Sequence, residues 1–329
     1  MFKLLFLTII SVFAKVAYAK KSVFMPPEAS VYAHDADKLY AFILNVSAVS
    51  FVLIVLCIAY FGFRYRRKTA NEKTPHMSHN LKLEIIWTII PSLIFFFMFG
   101  WGWKLWNQAR HAPAKALEIF VEGQKWSWGF HYKSGRKSVN EVYVPVNKPV
   151  KFIISSKDVI HSLFLPAFRK KQDAVPGRYT SLWIQPTKKG EYYIFCAEFC
   201  GTEHSSMIAK LKVVSFKDYA NWLANDPYKE MSLSKIGKKV FNTSCAACHN
   251  VNDTNKVGPG LGNLWNSKSI FENGESLVAD ATYIRDSILN PNAKVVKGFP
   301  KGVMPTFKGQ LSEQQIRGLI EYIKSLKEK

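Results

Sequence analysis

No part of this sequence concentrates charge. Lysine and arginine number 45 against 24 acidic residues, yet the excess of +21 is spread as +7 over residues 1–106 (12 basic, 5 acidic), +8 over 107–231 (19 and 11) and +6 over 232–329 (14 and 8). A nucleic-acid binder gathers its basic residues on one face or arm, so no nucleic-acid partner is expected. Charged residues make up only 21% and hydrophobic ones 48%, which excludes a disordered tail protein and a collagen-like chain. The apolar excess of a polytopic membrane protein is missing too, because mean hydropathy is −0.04. With 329 residues the chain has room for two or three domains, most of them water-soluble.

Two stretches lack charge altogether: 25 positions from Leu39 to Phe63 and 19 from Ile85 to Trp103. Each is long enough to span a bilayer, and the spans are expected at about 39–63 and 84–106. Between them lie Arg64, Arg66, Arg67, Lys68, Lys73 and Lys82 against a single Glu72, so the positive-inside rule places this loop in the cytoplasm and both ends of the hairpin outside. Trp101, Trp103 and Trp106 read as interfacial anchors. Pro91 is tolerated inside the second span, where neighbouring groups re-satisfy the freed carbonyl. Residues 1–19 combine Lys3, an apolar run from Leu4 to Ala14 and a terminal Ala17-Tyr18-Ala19, the pattern of a cleaved signal peptide. The rival, a further span, has too short an apolar run. Glu84 opens the second apolar run on the cytoplasmic side; a boundary carboxylate there is either functional or a helix-start charge that suits the macrodipole.

From Leu117 to Val214 the pattern becomes short runs of Val, Ile, Phe, Tyr and Trp broken by turn residues. Strands are expected at Leu117–Glu122, Trp126–Tyr132, Val142–Pro145, Lys151–Ser155, Ser181–Gln185, Tyr192–Cys196 and Ile208–Val214, which argues for an all-β sandwich or barrel. This region carries Asp158-Val-Ile-His161 and a loop holding Cys196, Cys200, His204 and Met207. Two thiolates, two imidazoles and a thioether suit copper. Two cysteines four apart on one loop can bridge two ions, so a binuclear centre is expected. A Cys196–Cys200 disulfide and a tetrahedral zinc site are the rivals, and neither gives Met207 a role.

After Asp226-Pro227 the pattern turns helical. Ser312 and Gln315 form a capping box, and Ile316, Leu319, Ile320 and Ile323 then make one apolar stripe. Upstream stands Cys245-Ala-Ala-Cys248-His249, the c-type haem attachment motif, with the thiols on the porphyrin and the histidine on iron. No histidine follows His249 and the only later methionine is Met304, the expected distal ligand, with a lysine as the rival. Of five cysteines only Cys57, in the first span, is left over, and it reads as a packing residue. His34, His76, His79, His111 and His131 read as surface or loop residues.

The stretches LKLEIIWTIIP from Leu81, GQKWSWGFHY from Gly123, DVIHSLFLP from Asp158, QDAVPGR from Gln172 and CAEFCGTEHSSM from Cys196 together resemble subunit II of haem–copper cytochrome c oxidases. That subunit carries a mixed-valence binuclear copper centre called CuA. The resemblance implies a cupredoxin-like domain with copper on His161, Cys196, Cys200, His204, Met207 and the carbonyl of Glu198, and a magnesium ion on the Glu198 carboxylate at the subunit I interface. It implies electron entry through Trp126 and the mouth of a proton channel at Glu84. Gly258-Pro-Gly-Leu261 resembles the loop behind the proximal histidine of class I cytochromes c. The expected organisation is therefore a signal peptide (1–19), a transmembrane hairpin (20–110), a cupredoxin-like domain (111–226) and an all-α cytochrome c domain (227–329). The expected function is to pass electrons from a donor, a cytochrome c or a quinol–cytochrome c reductase, to subunit I for oxygen reduction. The expected location is the bacterial plasma membrane, with both domains on the outer face. A copper subunit of a nitric oxide reductase is the nearest alternative, and a membrane-anchored copper carrier a more distant one, with no use for haem.

Overall fold

The structure, a computed structural model, describes residues 25–73, 76, 79–225, 228 and 230–327. The expected signal peptide and the Asp226-Pro227 boundary lie outside the described residues. Two compact units divide the chain, Met1–His111 and Ala112–Lys329.

The first unit is a helical hairpin. Helix α1 (Val31–Arg64) is capped by Ser30, whose side chain accepts from the Ala33 amide, and α2 (Leu81–Arg110) is capped by Asn80, which accepts from the Leu83 amide. Both exceed the charge-free runs because helix geometry continues past isolated charges such as Asp35, Asp37 and Lys104. Thirty residues rise about 45 Å, more than the roughly 30 Å of a hydrocarbon core. Phe42 meets Phe97 and Trp101 across the hairpin, so Trp101 packs inward, whereas Trp103 and Trp106 are exposed and stack on each other. Cys57 corrects its reading: it is exposed on α1 and packs no core within the chain. Helix α2 runs through Pro91 unbroken, and beside it the Ser92 hydroxyl donates to the Thr88 carbonyl.

The second unit opens with a sandwich of β1 (Leu117–Gln124), β2 (Ser127–Tyr132), β3 (Lys137–Val139), β4 (Glu141–Pro145), β5 (Val150–Ser156), β6 (His161–Leu165), β7 (Lys170–Ala174), β8 (Thr180–Ile184), β9 (Gly190–Cys196) and β10 (Ile208–Val214). One sheet has the order β3-β2-β1-β5-β8 and the other β4-β10-β9-β6-β7. Alternation positions the core: Val150, Phe152 and Ile154 of β5, and Ala209, Leu211 and Val213 of β10, are buried while their neighbours are not. Every expected strand is present within two residues at each end. The strands absent from the expectation, β3, β6 and β7, are short, and Lys137-Ser-Val and Lys170-Lys-Gln-Asp-Ala are polar edge strands with little apolar signal.

Helix α3 (Phe216–Ala224), capped by Ser215, lies against the sandwich through Trp222, which stacks on Tyr143 at 4.4 Å and lies under the Arg136 guanidinium at 3.8 Å. The helical part follows with α4 (Leu233–Ser244), a small hairpin of β11 (Lys268–Ile270) and β12 (Ser276–Val278), α5 (Ala281–Leu289) and α6 (Glu313–Lys327). The capping box is formed: the Ser312 amide donates to Gln315 Oε1 and the Gln315 amide to Ser312 Oγ. All four residues of the expected stripe on α6 are buried, in a core with Ile236, Val240, Phe241 and Ile284. Helices α4 and α6 cross backbone to backbone at Gly237 and Gly318, where a Cβ on Gly237 would fall 1.9 Å from the Gly318 carbonyl oxygen. Gly237→Ala should therefore force the helices apart and destabilise this packing by about 1–3 kcal/mol, read as faster amide exchange throughout α4 and α6. Wild-type exchange in that variant would show that the crossing has slack.

Candidate functional site

The end of β9 and the loop that follows it to the antiparallel β10 carry five of the six expected metal ligands, and β6 supplies the sixth, His161. Cys196 ends β9 opposite Leu163 of β6, so His161, two residues earlier on β6, comes to the same end of the sheet. Cys200 follows in irregular chain, His204 starts a 3-10 turn, and Met207 leads into β10. The two Sγ atoms are 3.9 Å apart, far beyond a disulfide bond, and both thiols are free. His161 Nδ1 faces Cys196 Sγ at 3.9 Å and His204 Nδ1 faces Cys200 Sγ at 3.4 Å. Met207 Sδ is 3.8 Å from Cys200 Sγ, and the Cys196 thiol donates to the Glu198 carbonyl at 3.2 Å.

Each imidazole thus has its own sulfur. Among the described residues, only His161, Cys196 and Cys200 place ligand atoms all within 4.8 Å of one another, and His204 stands outside that group. One tetrahedral ion needs all four donors convergent at once. Two sulfurs shared between two ions, with an imidazole at either end, suit this donor set. The contact between the two sulfurs, with help from His161, holds the Cys196 pKa well below the ordinary thiol value. The neighbouring negative sulfur and burial push Cys200 up in turn. Both cysteines bind metal as thiolates, so loading the site would release protons.

His161 is oriented from behind. Its Nε2 donates to Asp158 Oδ1 at 2.8 Å, which fixes the tautomer and leaves the Nδ1 lone pair toward the sulfurs. Burial opposes ionisation of Asp158, but the bond from His161 and those from the Lys125 and Val159 amides outweigh it and hold its carboxyl below the usual range. Sequence reasoning quoted Asp158 without giving it a role; the three-residue spacing to His161 was the available signal.

The second centre is an apolar cleft in the helical part. Cys245, Cys248 and His249 line it together with Met304, Leu261, Phe299 and Phe307. His249 Nδ1 donates to the Pro259 carbonyl at 2.8 Å, so Nε2 keeps its lone pair for a ligand. Gly258 lets the loop press on the ring, since a Cβ there would lie 2.4 Å from His249 Cε1. Burial lowers the His249 pKa and keeps the imidazole neutral, while burial pushes the Cys245 and Cys248 thiols up to about 12 and about 11. Two thiols, a tautomer-fixed imidazole and a thioether around one apolar cleft fit a covalently attached haem.

Trp126 connects the two sites. It sits at the tip of the β1–β2 hairpin, is 7% exposed, and lines the cleft with Ser127. Its indole also packs on Gly201, the residue after Cys200, where a Cβ would lie 3.2 Å from Cζ2. Glu84, by contrast, sits in the first turn of α2, where its carboxylate accepts from the Asn80 amide at 3.3 Å and completes a reciprocal cap. The helix-start role is thus present in the structure. Of the other histidines, His34 pairs with Glu28 and His131 with Glu122, and none joins a ligand cluster among the described residues.

Comparison with known proteins agrees with this division. Residues 18–103 match the family described as cytochrome c oxidase subunit II, transmembrane domain, residues 134–214 its periplasmic domain, and residues 234–327 cytochrome c. A cytochrome c oxidase subunit 2 from Alkalihalophilus pseudofirmus is 30% identical over 305 residues, covering 87% of this chain and 86% of its own. A probable subunit 2 from Rickettsia bellii is 30% identical over 246 residues, covering 68% of this chain and 88% of its own. A crystal structure of the periplasmic domain of cytochrome oxidase subunit II from Bradyrhizobium japonicum is 34% identical, covers 34% of this chain and 94% of its own, and has a TM-score of 0.33. With two membrane-type helices, a copper-type sandwich and a helical haem-type part in that order, the chain is a two-pass membrane protein of the cytochrome c oxidase subunit II family that carries a cytochrome c domain.

Proposed function

We propose that this chain is the electron-entry subunit of a haem–copper oxidase, holding a haem on Cys245, Cys248, His249 and Met304 and a copper pair on His161, Cys196, Cys200, His204, Met207 and the Glu198 carbonyl. The observation that carries this reading is the position of Trp126, which lines the haem cleft on one side and packs on the copper loop at Gly201 on the other. Bound there, haem c and copper supply one-electron transfer from a donor toward subunit I, where oxygen is reduced. The chain's own residues supply fixed geometry. Asp158 and the Pro259 carbonyl set the tautomers of His161 and His249, and burial of Met207 keeps water from the thioether. Fusion holds the cytochrome at high effective concentration beside its acceptor.

Arg64 at the end of α1 and Arg66, Arg67, Lys68 and Lys73 after it support placing that loop on the cytoplasmic side, with the sandwich and cytochrome parts outside the bacterial plasma membrane. Boundaries near 111 and 226 divide the parts. The net +6 of residues 232–329 favours a cytochrome c or quinol–cytochrome c reductase with an acidic face. The Glu198 carboxylate is the candidate magnesium ligand at the subunit I interface.

Three measurements test this reading. Metal analysis of the intact protein should find two coppers per chain, and Cys200→Ser should abolish the signal of an electron shared between them; one copper or one zinc in the wild type would sink the binuclear assignment. Met304→Leu should keep covalent haem but lose the sulfur-to-iron band and lower the reduction potential, because thioether ligation favours ferrous iron. An unchanged band and potential would remove Met304 from the iron. For Glu84, a proton-channel role predicts that Glu84→Gln leaves both centres intact while slowing oxygen consumption, with haem c reduction unaffected. A cap alone predicts normal turnover and a loss of about 0.3–1 kcal/mol in stability.

A further inference from the structure

Two amide side chains of the copper sandwich reach across to the haem cleft. Gln124, the last residue of β1 and only 2% exposed, donates through Nε2 to the Thr306 carbonyl at 3.0 Å. Asn140, between β3 and β4, donates through Nδ2 to the Thr243 carbonyl at 2.6 Å. Thr306 lies two residues after Met304, and Thr243 two residues before Cys245. One bond therefore lies beside the expected distal ligand in the chain and the other beside the attachment motif, while Trp126 and Ser127 line the cleft itself.

Both gripping residues are themselves held. Gln124 faces Ser127 across the hairpin, and the next amide, that of Lys125, donates to Asp158 at 2.8 Å. Asn140 adopts a left-handed φ of 54°, which asparagine tolerates. Its Oδ1 accepts from the Trp128 amide at 2.8 Å, and its own amide donates to the Trp128 carbonyl at 2.8 Å. A tether alone would leave the cytochrome part free to present any face; these two bonds, beside the exposed Lys137 ammonium that donates to the Gly309 carbonyl at 2.7 Å, select one.

We propose that Gln124 and Asn140 are positioning residues, a two-point clamp that holds the haem cleft of this chain against Trp126 in the orientation used for transfer to copper. The inference rests on the proposed function for its redox groups, but the clamp itself is a matter of this chain's own hydrogen bonds. Each bond should shift the docking equilibrium by roughly two- to tenfold.

The test uses the full chain in the assembled oxidase. Gln124→Leu keeps the side-chain volume and removes the donor. Asn140→Asp keeps the acceptor for Trp128 and the left-handed turn, and sets a carboxylate oxygen against the Thr243 carbonyl. Both variants and their combination should retain covalent haem and copper absorption. Each should slow haem c to copper transfer by roughly two- to tenfold, the double variant by more. Amide exchange over residues 123–128 and 302–308 should rise in step, a readout that does not depend on turnover. Wild-type transfer and exchange in the double variant would overturn the clamp and leave the proposed function standing; missing haem and copper signals in the wild type would overturn both.

Discussion

The carboxylate of Asp158 is where the chain's two kinds of chemistry meet. It accepts from His161 Nε2, which sets the lone pair that faces the thiols, and from the Lys125 amide, which fixes the hairpin tip bearing Trp126. The same tip ends β1 with Gln124 and begins β2 with Ser127. One anchored carboxylate therefore determines where the imidazole points, where the indole lies and where the buried amide reaches. The sandwich exists to hold that anchor still: two sheets with alternating buried side chains leave the β6 and β9 ends, and the loop between β9 and β10, with little freedom.

Much of this was legible because the chemistry is written at short range. The spacing of Cys196, Cys200, His204 and Met207 is local, so one loop can be read as one donor set, and the attachment motif at Cys245 is five consecutive residues. Met304 could be found from far away only because no competing histidine follows His249. Apolar alternation marked most of the strands, whereas β3 and β7 escaped because edge strands need not be apolar, and the interior β6 escaped because His-Ser-Leu-Phe-Leu is short and does not alternate cleanly. Cys57 was misjudged for a related reason: in a membrane helix an apolar residue can face outward, so hydrophobicity no longer implies packing within the chain.

What the sequence could not disclose is the contact between its distant parts. Gln124 and Thr306 are 182 residues apart, and neither belongs to a ligand motif. Asn140 looks like an ordinary turn residue, and its left-handed backbone explains an asparagine without hinting that the amide has a second partner. Asp158 lay in view beside His161, yet its bond to the Lys125 amide depends on two loops meeting.

The wall that Trp126 and Ser127 give to the haem cleft has a consequence for how the porphyrin is received. Cys245 is half-buried and lines the cleft together with Trp126, so the sandwich supplies part of the surface beside the attachment motif. The shape that receives a porphyrin is therefore completed by residues of both soluble parts, and the helical part by itself would offer a cleft without its Trp126 and Ser127 wall.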